Sequence, residues 1–374
     1  MRQKLKRVSA RLLGLALIAL VFWLVGWGDR VVDADGVEHR GRIVKKTETL
    51  ITLRTEDDRE VEIPIEDARQ VREGLGTVLT RFVRAPGPAL LGLLLHMLAL
   101  LCTFSRWGVL LNGADLATPW TQVLRLSLIG QFTASFLPGG NTGGDLVRAV
   151  YVARTHAHRK TRSVVTIFAD RIVGLAVLSA IACVALLFAP AGSRIREARG
   201  TLLVVFGLLT LVVMLLFSNR LRRWLQLDHL LELLPFKGIL EEIHLAIEVY
   251  AARRRTLLAA VGISVIGHGL NLAAFFCYGL ALGVTLTPMA IGVAIPVALM
   301  IASIPLLPGG WGVGEFAFYF FLPPTGVAAG VAVALSFTQR ILHTMLSLPG
   351  GFLLSRTVHE DPLAGPAADV GGTG

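Results

Sequence analysis

A glycine-rich segment occurs twice in this chain and limits its fold more than any other feature. The first copy, from Leu137 to Asp145, reads LPGGNTGGD, and the second, from Leu307 to Glu315, reads LPGGWGVGE. The two copies start 170 residues apart, since 307 − 137 = 170. Each lies within apolar sequence typical of helices, and each ends in a carboxylate. The pattern predicts a helix that is interrupted at membrane depth in each half of the chain.

Other residues recur at nearly the same spacing. Thr118 is echoed by Thr287 (287 − 118 = 169), Arg171 by Arg340 (340 − 171 = 169) and His96 by His268 (268 − 96 = 172). So small a drift indicates two copies of an ancestral half-protein that were fused into one chain.

The composition predicts a membrane protein that crosses the bilayer several times. Hydrophobic residues make up 54% of the chain, charged residues 17%, and the mean hydropathy is +0.66. The net charge of +10 does not indicate nucleic-acid binding, because the basic residues flank apolar runs, where they set membrane topology. Cys102, Cys183 and Cys277 lie in apolar runs without metal-ligand spacing, so we expect core residues and no metal or cofactor.

The N-terminal part divides into an anchor and a small domain. Basic residues precede the apolar run Leu12–Trp27, so residues 1–28 are predicted to be a transmembrane anchor with a cytoplasmic N-terminus. A cleaved signal peptide is the alternative. Residues 29–84 are charged and alternate in polarity at 42–45, 50–54 and 60–65. They predict a β-rich extracytoplasmic domain of about four or five strands.

Residues 85–356 form the predicted transmembrane domain, with repeats at 89–190 and 257–356 and linker helices at 200–256. Residues 357–374 are predicted to be a disordered tail. The segment that contains the first motif is predicted to begin and end on the cytoplasmic side, so its helices enter the membrane and return to the same side. The second enters from the outer face. The predicted fold is therefore an all-α polytopic membrane protein with inverted repeats, each with a re-entrant broken helix, plus the β-domain. Both termini are predicted to be cytoplasmic.

Ionisable residues at mid-membrane depth are the candidate site. Each costs about 2.5–3.5 kcal/mol on insertion scales unless it is paired or hydrated. The helix that follows each motif also directs its positive end toward mid-membrane, where it favours an anion. The predicted substrate-binding residues are Pro138, Gly139, Gly140, Gly144, Asp145, Arg148, Asp170, Arg171, Pro308, Gly309, Gly310, Gly314, Glu315 and Arg340. The alternative is that the acids only cap their own helices and the arginines neutralise them.

Two histidines, His96 and His268, are a candidate proton relay, because they occupy equivalent positions in the two repeats. A lone histidine in an apolar helix is more often a hydrogen-bonded packing residue, so that interpretation stays open beside the relay.

The two motifs, together with Asp170-Arg171 and Gly174, resemble the lysylphosphatidylglycerol synthase transmembrane-region family, also called flippase-like integral membrane proteins. The resemblance covers about 89–356. It implies a plasma-membrane protein similar to the flippase half of the bacterial multiple peptide resistance factor, which moves a charged phospholipid between leaflets. Some members are associated with polyprenyl-linked glycolipid assembly. No soluble aminoacyltransferase domain follows Arg356, so lysyl transfer is not expected, and 29–84 departs from the family pattern.

The sequence therefore predicts a non-enzymatic transporter for a phosphate-bearing lipid, either an anionic phospholipid or a polyprenyl phosphate. An intramembrane transferase with Asp145, Glu315 or Asp170 as base is one alternative, and the sequence has no nucleotide-binding loop, nucleophile elbow or zinc motif to favour it. The other alternative is a non-catalytic membrane partner of an envelope-biosynthesis protein.

Overall fold

The computed structural model describes most of the chain outside its N-terminus, a central segment and the two motif tips. The described residues are 26–46, 49–55, 57–68, 70–72, 74–136, 140–156, 159–188, 200, 207, 249–250, 253–303 and 311–360. The predicted anchor, most of the predicted linker helices and most of the tail lie outside these residues.

A five-stranded antiparallel sheet lies at the start of the described chain. Its strands are β1 (Asp29–Val32), β2 (Glu38–Lys46), β3 (Leu50–Thr55), β4 (Glu60–Pro64) and β5 (Gln70–Arg72), in the order β4-β3-β2-β1-β5. One face buries Val31, Ile43, Ile51, Leu53 and Ile63, which follows from the alternating pattern because successive side chains of a strand point to opposite faces.

Asp29 joins this sheet to the helix that follows it. Its side chain is fully buried, and its carboxylate accepts hydrogen bonds from the Gly74 N–H at 2.7 Å, the Ile43 N–H at 2.5 Å and the Thr77 hydroxyl at 2.7 Å. Gly74 is the N-cap of the helix, so one carboxylate satisfies a helix-end donor and a strand donor together.

Nine α-helices follow in the described part of the chain. They are α1 (Leu75–Arg84), α2 (Pro86–Gly113), α3 (Trp120–Phe136), α4 (Gly140–Thr155), α5 (Lys160–Leu187), α6 (Arg254–Ala281), α7 (Ile295–Ala302), α8 (Val313–Phe321) and α9 (Ala329–Glu360). α9 contains Pro349 and continues past the predicted boundary at Arg356, since no proline or glycine occurs between Arg356 and Pro362.

Among the described residues, four helices are long and apolar enough to cross a membrane, at Pro86–Gly113, Thr161–Leu187, Arg254–Ala281 and Ala329–Ser355. Their outward faces expose large apolar side chains, among them Leu90, Leu94, Val265, Ile266 and Phe352. Exposed apolar surface of this extent suits contact with lipid. The chain is therefore a multi-pass membrane protein, as its composition predicts.

α2 and α6 form the most extensive helix contact and run antiparallel. The His96 Nδ1 of α2 lies 3.1 Å from the Asn271 Oδ1 of α6, and seven residues before the end of α2 the Arg106 guanidinium donates to the Ser264 hydroxyl at 3.0 Å. Gly113, at the end of α2, packs against Thr256 at the start of α6. As the residue numbers increase along α2, the numbers of the contacting residues in α6 decrease, so the two helices run antiparallel.

The helix contacts of α2 to α5 have counterparts among α6 to α9. Within each set, α3–α4 corresponds to α7–α8, α4–α5 to α8–α9, and α2–α5 to α6–α9. Between the sets, α3–α9 corresponds to α5–α7, and α5–α6 to α2–α9. α2 also contacts α3, whereas α6 contacts residues 290–294, which precede α7, so the two sets correspond closely but not completely.

The α3–α4 pair begins and ends at one end of the helix bundle. The loop before α3 contains Asp115, whose carboxylate accepts hydrogen bonds from Arg162 at 2.8 Å, near the start of α5, and from Arg253 at 2.6 Å, just before α6. The hydrogen bond from Arg253 holds the pKa of Asp115 below its ordinary value, so the carboxylate stays charged at neutral pH. α4 ends at Thr155, and Arg159 just after it donates to the Asp115 carbonyl at 2.6 Å. The end of α4 and the start of α3 therefore lie at the same end of the helix bundle.

The segments before α7 and after α8 also lie close to each other. The Thr287 hydroxyl, before the pair, donates to the Thr325 carbonyl, after it, at 3.4 Å. A single π-helical stretch, Ala290–Ala294, precedes α7. It lies directly before Pro296, whose ring would clash with the carbonyl of Gly292 in a regular α-helix, so the wider turn accommodates the proline.

Asp29 offers a test of how the sheet is held to the helices. Asp29→Asn keeps the volume but weakens the acceptor that Gly74 and Ile43 share, so we expect the free energy of unfolding to fall by about 1–3 kcal/mol. Thermal unfolding of the full chain in detergent measures the change. Asp57→Asn, at an exposed turn, is the matched control and should melt like the wild type. Equal melting of the two variants would contradict the anchoring role.

Candidate functional site

Both glycine motifs are described in part. Pro138 and Gly139 of the first copy and Pro308, Gly309 and Gly310 of the second lie outside the described residues, so their predicted role stays a prediction. Gly140 begins α4 with φ +52°, and Gly312 is the N-cap of α8 with φ +83°. Both angles are in the left-handed region, which glycine adopts without the strain that other residues meet.

In the first half of the bundle, Asp145 is bound by two arginines. Its Oδ2 accepts a hydrogen bond from the Arg171 Nε of α5 at 2.8 Å, and its Oδ1 accepts one from Arg148, one turn further along α4. The Arg148 guanidinium also lies over the Trp107 ring of α2, 5.1 Å from its centroid. Asp145 and Arg148 are largely buried, whereas the Arg171 side chain is 38% exposed. The site therefore has one guanidinium that a ligand can reach.

In the second half, Glu315 occupies the equivalent position. Its Oε1 accepts a hydrogen bond from the Arg340 Nε of α9 at 2.9 Å, and its Oε2 accepts one from the Gly312 N–H at 2.6 Å. The Arg340 guanidinium lies over the Trp311 ring at 5.6 Å. The Glu315 side chain is only 2% exposed, so the carboxylate both caps α8 and neutralises Arg340.

The two ion pairs occupy corresponding places in the sequence. Asp145–Arg171 and Glu315–Arg340 each join the helix after a motif to the following long helix, at positions 170 and 169 residues apart. The acids and arginines meet, and Glu315 also caps its own helix. The predicted binding of a substrate by these residues stays a prediction.

The second glycines of the motifs fit close contacts. Gly144 lies against the backbone of Gly130 in α3, where a Cβ would overlap the Gly130 carbonyl oxygen. Gly314 leaves the space that the Arg340 guanidinium fills. Packing therefore explains the absence of a side chain at both positions.

Asp170 lies beside Arg171 in sequence but contacts another helix. It accepts a hydrogen bond from the Arg106 Nε of α2 at 2.6 Å, and both side chains are buried. Arg106 is not among the predicted site residues, because a basic residue followed by Trp107 near the end of an apolar run resembles an interfacial anchor. The unpaired acid at Asp170 was the signal for a buried basic partner.

His96 and His268 line one polar cavity of about 140 Å³ between α2, α6 and α9. His96 Nε2 lies 3.3 Å from His343 Nδ1, and His268 Nε2 lies 3.0 Å from the Gly174 carbonyl. The two predicted relay residues therefore share a cavity, but each contacts a different partner. Sequence reasoning did not identify His343, because the equivalent position in the first half is Gly174.

The cavity is large enough for a few water molecules and offers them polar partners, among them Asn271, Gln339 and Ser264. Among the described residues, no group of three or more His, Cys, Asp or Glu side chains is placed to hold a metal ion.

Comparison with known proteins gives two findings. The model of a family described as Lysylphosphatidylglycerol synthase TM region matches residues 71–350, three quarters of the chain. The chain is also similar to the UPF0104 membrane protein PH1989 of Pyrococcus horikoshii, with 25% identity over 291 residues, which cover 71% of this chain and 85% of that protein. No solved structure matches the chain.

The Glu315–Arg340 pair generates a test of charge coupling. Arg340→Ala leaves a buried carboxylate without its cation, so we expect the free energy of unfolding to fall by about 3–5 kcal/mol. Adding Glu315→Gln removes that uncompensated charge and should recover part of the loss. Thermal or denaturant unfolding in detergent measures both variants, with Arg154→Ala, exposed on α4, as the control. Additive effects of the two substitutions would contradict the coupling.

Proposed function

Because the chain belongs to the lysylphosphatidylglycerol synthase TM region family of membrane proteins, we propose that it is a lipid transporter that moves a phosphate-bearing lipid between leaflets. The observation that carries the proposal is the pair of equivalent ion pairs, Asp145–Arg171 and Glu315–Arg340. Each ties a short helix behind a glycine motif to a long neighbouring helix. The family description and the word membrane in the relative's name support a role at lipid, and the mechanism is our inference.

We further propose that the two halves are inverted repeats, and three observations support this. α2 and α6 run antiparallel, most helix contacts in one half have a counterpart in the other, and each short helix pair begins and ends at one end of the bundle. α3 has 17 residues and α8 has nine, about 26 Å and 14 Å at the rise of an α-helix, against about 30 Å of hydrocarbon. Such lengths suit re-entrant helices.

In this scheme the lipid phosphate competes with a carboxylate for an arginine. A guanidinium binds phosphate through two parallel hydrogen bonds, so it can exchange one anion for the other at little electrostatic cost. Displacing Asp145 or Glu315 frees the short helix from its long neighbour. Inverted halves would expose this site to the two leaflets in turn.

The main test is lipid exchange by purified protein in liposomes. Glu315→Gln combined with Arg340→Gln removes both charges together, so the protein should stay folded while exchange of fluorescent phosphatidylglycerol between leaflets slows at least tenfold. Quenching of outer-leaflet fluorescence measures the rate, and Arg154→Gln is the control for an exposed arginine on a neighbouring helix.

Other outcomes of the same assay decide between the alternatives. A change in lipid mass would indicate the intramembrane transferase. If none of the tested phospholipids and polyprenyl phosphates shows exchange or a change in mass, the transport proposal has no support. That result would favour a non-catalytic partner of an envelope-biosynthesis protein.

We propose a plasma-membrane location with the β-sheet outside. The end of the bundle that gathers Arg162 and Arg253 around Asp115 is the basic one, which places it in the cytoplasm by the positive-inside rule. Thr325 and the sheet lie toward the other end, since α1 packs against the start of α9. Both chain termini are then cytoplasmic.

Single cysteines test this orientation in a background without Cys102, Cys183 and Cys277, all of which are free thiols. Cysteines at Asp57 and Thr325 should react with an impermeant thiol reagent on intact cells, and those at His158 and Ala252 should react only after lysis. Mass-tag gel shifts measure labelling. Labelling at His158 on intact cells would contradict the re-entrant first pair.

A further inference from the structure

A second basic site lies outside the helix bundle, in a cleft between the β-sheet and α1. The cleft has a volume of about 620 Å³, within the range of small-molecule sites. Its lining includes Arg30, Arg40, Arg42 and Arg54 from three strands and Thr77 and Thr80 from α1. We propose that this cleft binds a phosphate-bearing ligand. The proposal does not depend on the transport function.

The strand register brings these arginines into direct opposition. Arg30 of β1 pairs with Arg40 of β2, and Arg42 of β2 pairs with Arg54 of β3. Like charges directly opposite one another destabilise a sheet. Arg40 and Arg42 are two residues apart and therefore share a face, opposite the face that buries Ile43. Two like-charged cross-strand pairs on one solvent-facing surface are unfavourable for folding alone, and a bound anion would offset them.

The cleft has little negative charge of its own. Asp29 is the acid in its lining, and both of its oxygens are occupied by the hydrogen bonds that hold the sheet to α1. Three of the arginines have acidic neighbours outside the lining. Glu38 lies 3.6 Å from Arg30 and 3.0 Å from Arg40, and Arg54 has Glu60 at 2.8 Å and Asp58 at 3.6 Å.

Arg42 is the central member of the cluster. Its guanidinium donates to the Thr80 hydroxyl at 3.4 Å, and within the described residues no ion pair of Arg42 with a carboxylate is found. The cleft is therefore positive around Arg42. The hydroxyls of Thr77 and Thr80 already donate to Asp29 and to the Gly76 carbonyl, so the guanidinium groups are the donors that would bind phosphate oxygens.

The cleft lies close to the membrane. α1 is ten residues long and is separated from the spanning helix α2 by one residue, so the cleft lies within about 15 Å of the membrane surface. Trp27, which is exposed, lines the same cleft. A lipid phosphate and a soluble phosphate both meet this chemistry, and the experiment separates them.

The experiment is calorimetric titration of the full chain in a maltoside detergent that contains no phosphate. The probes are inorganic phosphate and dihexanoyl phosphatidylglycerol below its micelle concentration. We expect saturable binding that weakens with added salt. Arg42→Gln combined with Arg54→Gln should raise the dissociation constant at least tenfold. Arg59→Gln, exposed in the turn before β4, is the matched control and should bind like the wild type.

The two probes distinguish the ligand source. Equal binding of both would assign the site to the phosphate group itself, and at least tenfold tighter binding of the lipid would assign it to a headgroup. No binding of either probe, or equal binding by wild type and the double variant, would overturn the proposal.

Thermal unfolding separates a ligand site from a purely structural cluster. Arg42→Gln relieves like-charge repulsion, so without phosphate it should melt at or above the wild-type temperature. Added phosphate should raise the wild-type melting temperature and leave that of the variant unchanged. A variant that melts lower in phosphate-free buffer, with no response of the wild type to phosphate, would show that the arginines only support the sheet.

Discussion

A charged side chain in hydrocarbon costs about 2.5–3.5 kcal/mol on insertion scales unless it finds a partner, and the packing of this protein follows from that constraint. Among the described residues, three ion pairs between helices meet it, beside the Asp145–Arg148 pair within α4. Asp145–Arg171 joins α4 to α5, Asp170–Arg106 joins α5 to α2, and Glu315–Arg340 joins α8 to α9. Each pair bridges two helices, so the charges that would oppose insertion instead fix which helices are neighbours. The close contact at Gly314 follows from the same arrangement, because it leaves room for the Arg340 guanidinium of α9, whereas Gly144 lets α4 approach α3.

Much of this site could be predicted from the sequence, because similar residues recur in it at a nearly constant spacing. The acids after the glycines and the arginines 169 residues apart were identified in this way, and the structure joins them in pairs. Arg106 and His343 could not be found by the same signal. Position 343 corresponds to Gly174, and Arg106 has an interfacial appearance in sequence although Asp170 binds it in the interior. Residues that recur in both halves of the sequence could therefore be predicted, whereas residues that occur in one half only could not.

The β-sheet shows a different limit. Alternating polarity predicts its strands, since one face must bury apolar residues. The register is not encoded in that pattern, because it depends on turns and on the irregularity between Ile43 and Lys45. The opposition of Arg42 and Arg54, and the contact of Asp29 with residues 45 and 48 positions away, therefore appear only in three dimensions.

Asp170 and Arg171 are consecutive, so their side chains leave α5 about 100° apart and bind two different helices. The equivalent residues of α9 are Gln339 and Arg340, and a glutamine cannot form the first of these ion pairs. Within the described residues, charged contacts therefore hold α5 to two neighbouring helices, α2 and α4. A rotation of α5 about its own axis would strain both ion pairs together. Two consecutive residues thus fix the rotational position of one spanning helix against two neighbours.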